Sequence, residues 1–270
     1  MTQESPVYAL TRGTQPLLLS IPHLGTELPA DIAAQMNDVA SVLRDTDWHL
    51  DRLYEFAASM GASVLQAKLS RYVIDLNRPP NGESLYPGKT TTGLCPTETF
   101  PGESLYAPGQ EPDAAEQARR LEGYWRPYHD ALTSELARIR AEHGCALLWD
   151  AHSIASVLPR LFEGKLPDLN FGTADGKSCD GDLLKQVITV AGKSPFTIVV
   201  NGRFKGGYIT RHYGRPEDAI HAIQLEMCQS LYMNEAPPFE FEPDKAAAVQ
   251  PVLRGMLESA LAHVRKLNAR

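Results

Sequence analysis

The chain has 270 residues, with 33 acidic against 26 basic side chains and a formal net charge of −7. That balance argues against a nucleic-acid binder, which would show a basic face, while leaving room for a local arginine cluster that binds a small anion. No stretch approaches the roughly 20 apolar residues of a membrane span, Met1–Ser5 is polar and gives no secretion signal, and Cys95, Cys145, Cys179 and Cys228 form no CxxC pair, so the expectation is a cytoplasmic protein with reduced thiols and no membrane partner.

The first elements surround a histidine. Met1–Gln15 is polar and reads as an edge strand or an ordered tail. Leu17–Ile21 is a continuous apolar run, the mark of a strand buried on both faces. Pro22 stops it and delivers His23, with Gly25 to turn the chain and Glu27 four residues on. Thr26 reads as an N-cap for a helix over Pro29–Leu43. Asp45-Thr46-Asp47 opens a second helix marked by Trp48, Leu50, Leu53, Phe56 and Ala57 and closed by Gly61. Ala62–Ala67 reads as a short strand. Tyr72–Leu76 alternates like a half-buried strand and ends at Asn77-Arg78-Pro79-Pro80.

Residues 81–112 are loop-like and carry Gly-Glu-Ser-Leu-Tyr twice, at Gly82–Tyr86 and Gly102–Tyr106. Two five-residue copies do not make a repeat architecture. A loop of this length, rich in tyrosine and proline, reads as an ordered lid. Asp113–His143 is the longest helical stretch, with Leu121, Trp125, Tyr128, Leu132, Leu136 and Ile139 on one face and Pro127 as a possible kink. Gly144 ends it. The apolar strand Cys145–Trp149 follows, then Asp150-Ala151-His152-Ser153. Beyond lie a strand at Asp168–Gly172, a helix at Gly181–Gly192, a strand at Phe196–Val200 and a Gly- and Arg-rich loop at Asn201–Pro216. Ala222–Met227 reads as a strand passing into a helix near Tyr232, and Lys245–Leu267 as a final helix. Strands alternating with helices imply an α/β fold, a mostly parallel central sheet with helices on both faces. No linker divides the chain, so residues 1–270 read as a single domain.

Polar clusters fall where strands end: His23 with Glu27, Asn77 with Arg78, and Asp150 with His152. Two histidines and one carboxylate make a sufficient catalytic zinc set with one position open. No HExxH spacing occurs, so the ligands would come from separate strand ends. Each member also has a plainer reading. His23 fits a turn, and His152 fits a satisfied core histidine. Asp45 and Asp47 fit helix-capping acids. Glu226, between Leu225 and Met227, either pairs with an arginine or has chemical work, because burying a lone carboxylate is costly. Arg78 and Arg211 fit surface ion pairs or substrate contacts. His49 is placed on the exposed side of its helix, and His129, His143 and His263 in solvent.

These residues carry a resemblance. Ile21–Thr26, Asp45–Leu53, Ser70–Pro79, Trp149–Ser153, Gly207–Thr210, Tyr213–Pro216 and Ile223–Glu226 together resemble the N-formylglutamate amidohydrolase (N-formylglutamate deformylase) family of bacterial histidine degradation. The resemblance implies a three-layer phosphorylase/hydrolase-like fold related to zinc carboxypeptidases. It implies one divalent metal, zinc first, and hydrolysis of N-formyl-L-glutamate to L-glutamate and formate. His23 and His152 match the histidine ligands, and Glu226 the general base. The carboxypeptidase pattern has a glutamate three residues after its first histidine. Thr26 stands there, and Glu27 is one residue late, so Asp47 is preferred as third ligand with Glu27 second.

The substrate would carry two carboxylates, which calls for at least two cations, and arginine matches a carboxylate bidentately. Arg78 and Arg211 are the first choices, with Asn77 beside them and Arg203, Arg160 and Arg215 in reserve. Two other readings stand next to this one. The first is a related zinc hydrolase of another N-acyl amino acid or a cell-wall amide. The second is a non-catalytic sensor of acidic amino acids, which would have no need of a water-activating base.

Overall fold

A computed structural model of the chain describes residues 6–268. The polar start Met1–Ser5 lies outside the described residues. Among them, the strands are β1 (Tyr8–Thr11), β2 (Leu17–Ile21), β3 (Ser63–Ala67), β4 (Ala146–Ile154), β5 (Leu169–Gly172), β6 (Ile198–Val200) and β7 (Ile220–Cys228). The helices are α1 (Ala30–Ala33), α2 (Asp38–Ser41), α3 (Leu50–Leu53), α4 (Phe56–Ser59), α5 (Ala114–Arg120), α6 (Arg126–His143), α7 (Gly181–Ala191), α8 (Tyr208–Tyr213) and α9 (Pro243–Asn268).

The strands form one mixed sheet in the order β1-β3-β2-β4-β7-β5-β6. Its centre, β3-β2-β4-β7, is parallel. β1 and β5 run antiparallel to β3 and β7, and β6 runs parallel to β5. Alternate residues feed different cores. Leu17, Leu19 and Ile21 of β2 join Leu147 and Trp149 of β4 in a cluster with Leu183 of α7 and Leu253 of α9. Leu18, Leu148 and Ala222 join a second cluster with Leu132, Leu136 and Ile139 of α6. Burial on both faces explains why β2, apolar but for Ser20, does not alternate.

Several expected elements differ. Pro29–Leu43 is two single turns, α1 and α2, because Asn37 breaks the run and accepts the Val39 N–H with its side chain at 3.0 Å. The next helix is likewise split into α3 and α4 by Tyr54, and Thr26 caps neither α1 nor any other helix. Gly61 does end this stretch, at φ +74°. Tyr72–Leu76 is buried and irregular rather than a half-buried strand. Its backbone is satisfied by a distant carbonyl and a nearby side chain: the Asp75 N–H donates to the Leu94 carbonyl at 2.7 Å, and the Asp75 carboxylate accepts the Asn77 N–H at 2.9 Å. Pro127 lacks the amide that would continue the ladder, and the chain widens into a π turn at Leu121–Trp125 just before it. The 201–216 loop contains α8, and β7 passes into a single 3₁₀ turn, Gln229–Leu231.

The histidines placed in solvent also need correction. His129 is buried, stacked on Trp125 with centroids 3.6 Å apart, and bonded to the Leu76 carbonyl at 2.8 Å and the Tyr213 hydroxyl at 2.9 Å. His263 is buried against Asp180 at 3.0 Å, and His143 is half-buried. His49 is half-buried at the start of α3 with φ +60° and bonds the Phe239 carbonyl at 2.7 Å.

Burial pushes the His129 pKa down to about 3. The unfolded chain therefore takes up this proton first as pH falls. The stability contributed by neutral His129 is complete above the ordinary histidine value near 6.5, and it is lost as pH falls from there toward 3. Urea unfolding is expected to show wild-type stability falling between pH 7.5 and 5 by about 2 kcal/mol more than that of His129→Gln.

Candidate metal centre and reaction pocket

The polar residues that matter continue the apolar face of the sheet beyond its core. β4 extends past Trp149 to Ile154, so Asp150 and His152 lie within the strand rather than after it. Its register with β7 pairs Asp150 with Gln224 and His152 with Glu226. Paired residues on adjacent strands share a face. Leu148 and Ala222, two residues back, are core on that same face. The sheet thus changes from apolar to polar at the carboxyl ends of its central parallel strands, where ligands of α/β proteins sit.

His23 arrives just past β2. Gly25 is needed there for close approach: a Cβ would lie 2.2 Å from the Leu69 carbonyl oxygen. Asp47 comes from the segment before α3. Its N–H donates to the His23 carbonyl at 3.0 Å, and the Gln229 side chain donates to the Thr46 carbonyl at 2.8 Å. Asp45 and Asp47 are therefore not helix caps. Asp45 accepts the Phe100 N–H at 2.8 Å, and burial pushes its carboxyl up to about 6.

His23, Asp47 and His152 meet, their candidate ligand atoms all within 4.8 Å of one another. Asp47 Oδ2 lies 3.1 Å from His152 Nδ1 and 3.7 Å from His23 Nδ1. The far nitrogens face other carboxylates: His23 Nε2 is 2.8 Å from Asp75 Oδ1, and His152 Nε2 is 3.1 Å from Asp150 Oδ1. Asp75 in turn accepts from Arg71 Nη2 at 2.7 Å, and Asp150 from the Thr210 hydroxyl at 2.9 Å. The donor set suits a divalent ion: two imidazole Nδ1 atoms and one carboxylate oxygen converge, and each ring is oriented from behind by a carboxylate.

The charges depend on each other. Burial alone would raise the Asp47 and Asp75 carboxyls. For Asp47, His152 and His23 outweigh it; for Asp75, Arg78, His23 and Arg71 do, so both sit well below the ordinary carboxylate range. Burial opposes a charge on His152, but Asp150 and Asp47 hold its pKa well above the usual histidine value. Glu226 is the exception. Burial pushes it up to about 8, beyond what His152 and Arg71 offset.

A small cavity of about 60 Å³ reaches His23, His152 and Glu226. Arg78 and Arg203 line it, as do Tyr86 and Thr90–Thr92 from the 81–112 segment, so that segment is a wall of the pocket. The Tyr86 hydroxyl holds the wall shut, accepting the Lys205 N–H and donating to the Gly206 carbonyl, both at 3.0 Å.

The structure separates the expected site residues. Asn77 lines the pocket, but its amide is committed: Oδ1 accepts the Ile209 N–H at 2.8 Å and Nδ2 packs 2.9 Å from His152 Nε2. Gly207 makes room for it, since a Cβ there would fall 2.4 Å from Asn77 Nδ2. Glu27 is exposed, its backbone pairing with Lys68–Ser70, and stands off the cluster. Arg211 does not line the pocket; it donates to the Gly206 carbonyl at 2.8 Å and lies over the Tyr86 ring. Arg160 pairs with Glu98, and Arg215 with Asp218 at 3.2 Å on the surface. Arg71, Asp75 and Gln224 escape the sequence reading. A signal existed for the first two: an Arg and an Asp four apart inside an apolar run must find partners if buried.

A histidine pair and an aspartate face one point, with a buried glutamate beside them in an arginine-lined pocket, and this cluster could hold a metal. The chain belongs to the N-formylglutamate amidohydrolase family, whose model matches residues 15–233. It is 51% identical over 257 residues to an N-formylglutamate deformylase of Pseudomonas aeruginosa, covering 95% of this chain and 96% of that one. It is 49% identical over the same length to an N-formylglutamate deformylase of Pseudomonas putida, with the same coverage. Its structure is similar to the crystal structure of an N-formylglutamate amidohydrolase from Ralstonia eutropha, with a TM-score of 0.80 and 26% identity, covering 96% of this chain and 98% of that one. An Agrobacterium tumefaciens gene product shares the fold at a TM-score of 0.74 and 19% identity, covering 97% of both chains.

Asp47→Ala is expected to abolish stoichiometric zinc uptake and Glu27→Ala to leave it intact, as read by elemental analysis after gel filtration. Asp75→Asn removes the carboxylate behind His23 and is expected to weaken zinc affinity by about 10- to 100-fold in a competition titration.

Proposed function

We propose that the protein is an amide hydrolase that converts N-formyl-L-glutamate and water to L-glutamate and formate. The observation that carries this reading is the β4–β7 register, which sets Glu226 directly beside His152 and so beside the His23–Asp47–His152 cluster. The names of the relatives at about half identity support the substrate.

The cluster would hold one divalent metal, with zinc first for its nitrogen and oxygen donors. When bound, such an ion supplies Lewis acidity, which polarises a carbonyl and lowers the pKa of water. The chain does the rest. Glu226 takes a proton from the attacking water at a carboxylate oxygen and returns it to the leaving nitrogen, so that the C–N bond breaks as a C–O bond replaces it. A positive charge at the cluster would draw the Glu226 pKa down from about 8, toward the ionised form a base requires. Arg78 and Arg203 are the proposed anchors for the two substrate carboxylates, since both line the pocket and donate mainly to backbone carbonyls. Asn77 and Arg211 serve as supports, the first for His152 and the second for the Gly206–Tyr86 wall.

The two cores on opposite sheet faces support a three-layer arrangement, and the finer fold reading is one phosphorylase/hydrolase-like domain related to zinc carboxypeptidases. A place in histidine degradation in the cytoplasm accords with this substrate. No described helix is long and apolar enough to cross a membrane.

Glu226→Gln is expected to keep its bound metal and to lose about 10²- to 10⁴-fold in formate release. Exhaustive chelation is expected to stop turnover of the wild type, and added zinc to restore it. Arg203→Met is expected to raise KM for N-formyl-L-glutamate with a smaller change in kcat. Full turnover without metal would sink the mechanism.

A further inference from the structure

Beside the reaction pocket lies a second, larger cavity of about 660 Å³. The two share three wall residues, Phe100, Ser153 and Ile154. This wall abuts the candidate metal cluster. The Ser153 N–H donates to Asp47 Oδ2 at 3.2 Å. The Arg71 guanidinium lies 4.6 Å from the centre of the Phe100 ring, and its Nη1 is 3.9 Å from Asp47 Oδ1.

The two sides of the wall differ in chemistry. Arg78, Arg203 and Tyr86 line the small pocket and not the large one. The large cavity is faced next to the wall by Ile154, Ala155, Val157, Leu158 and Pro237; Arg44, Asp45, Arg160, Gln229 and Glu235 also line it, each already bonded within the protein. Phe100 is also fixed in place. Its N–H is held by Asp45 at 2.8 Å, one face of its ring meets Arg71, and it packs with Ile154, Leu158 and Leu166. A ring held by a cation–π contact and apolar packing does not swing aside to admit a larger group.

We infer that Phe100 is a specificity-determining residue, a partition that confines the acyl side of the substrate to a formyl group, and that the cavity behind it would accept a short apolar N-acyl chain. The inference rests on the proposed deformylase reading. With the glutamate carboxylates at Arg78 and Arg203 and the scissile carbonyl at the cluster, the acyl substituent meets the shared wall. A formyl carbon carries only hydrogen there, and an acetyl carbon adds a methyl that the ring excludes. The reaction is otherwise the same: the acyl C–N bond breaks, water supplies the new C–O bond, and the nitrogen leaves protonated.

The test measures glutamate release from N-formyl-, N-acetyl- and N-butyryl-L-glutamate by zinc-loaded wild type, Phe100→Ala, Phe100→Leu and Ile154→Ala. The kcat/KM ratio of the longer acyl substrate to the formyl substrate, taken in each variant relative to the wild-type ratio, removes general losses of activity and differences in intrinsic reactivity. That ratio is expected to rise by about 10-fold or more for N-acetyl in Phe100→Ala, in keeping with discrimination by a single methyl-sized group. N-butyryl-L-glutamate is expected to gain as well, because its chain reaches the larger cavity. Phe100→Leu and Ile154→Ala are expected to rise less, and they carry the test if Phe100→Ala does not fold. Folded variants that cleave the formyl substrate with the wild-type ratio overturn the inference and leave the deformylase reading standing. A wild type inactive on N-formyl-L-glutamate overturns that reading, and this inference with it.

Discussion

The site depends on one buried carboxylate. Asp47 is 1% exposed and lies between the Nδ1 atoms of His23 and His152. A carboxylate so far from water is costly unless charge or hydrogen bonds compensate it. Here the compensation comes from the two histidines and from the Ser153 N–H. Both rings are then committed at Nδ1, and their Nε2 atoms need partners of their own, which Asp75 and Asp150 provide. Asp75 calls for Arg71, and Asp150 for Thr210. Each buried polar group thus requires the next, and the chain of requirements ties the segments around residues 23, 47, 71–77, 150–153 and 210 into one network.

That network explains why the pocket's wall and its chemistry are joined. Asn77 packs against His152 and also receives the Ile209 N–H, so it links a candidate ligand to α8. The preceding residues, Lys205 and Gly206, are clasped by Tyr86 from the 81–112 segment. Gln224 accepts the Gly207 N–H at 2.7 Å, and its amide reaches Glu226 at 3.5 Å. The proposed base therefore leans on the same segment as the proposed ligand. A segment with no helix or strand of its own holds its shape because it is pinned at tyrosine and arginine side chains.

Some of this was legible in the chain. The apolar run of β2 and its stop at Pro22 give a strand end with His23 on it, because a doubly buried strand has no reason to alternate. The stripe on α6 follows from helical period. His152 and Glu226 stand out as polar residues in apolar strands. Tyr72–Leu76 was not legible: its period-two pattern suggests a strand, whereas its backbone partners are the distant Leu94 and local side chains. His129 was not legible either, since a histidine on a helix carries no mark of the Trp125 and Tyr213 that enclose it. Arg211, near the same glycine-rich turn as Arg203, lies in α8 and turns its side chain to the Gly206 carbonyl, whereas Arg203 reaches the Thr90 carbonyl.

By itself the sequence determined the strands that are buried on both faces, the long amphipathic helix and the residue types able to bind a metal or move a proton, because periodicity and side-chain chemistry are local properties. The tertiary structure alone decided which carboxylate joins the two histidines. Asp47 and Glu27 are both acids near His23 in the chain, but Asp47 is drawn into the cluster by its backbone bond to the His23 carbonyl, while Glu27 is held at the surface by its pairing with Lys68–Ser70. It also decided that Glu226 stands beside His152, because that follows from the register of two strands separated by 65 residues, from Ala155 after β4 to Ala219 before β7. Register is set by long-range packing of both faces of the sheet, and no local pattern encodes it.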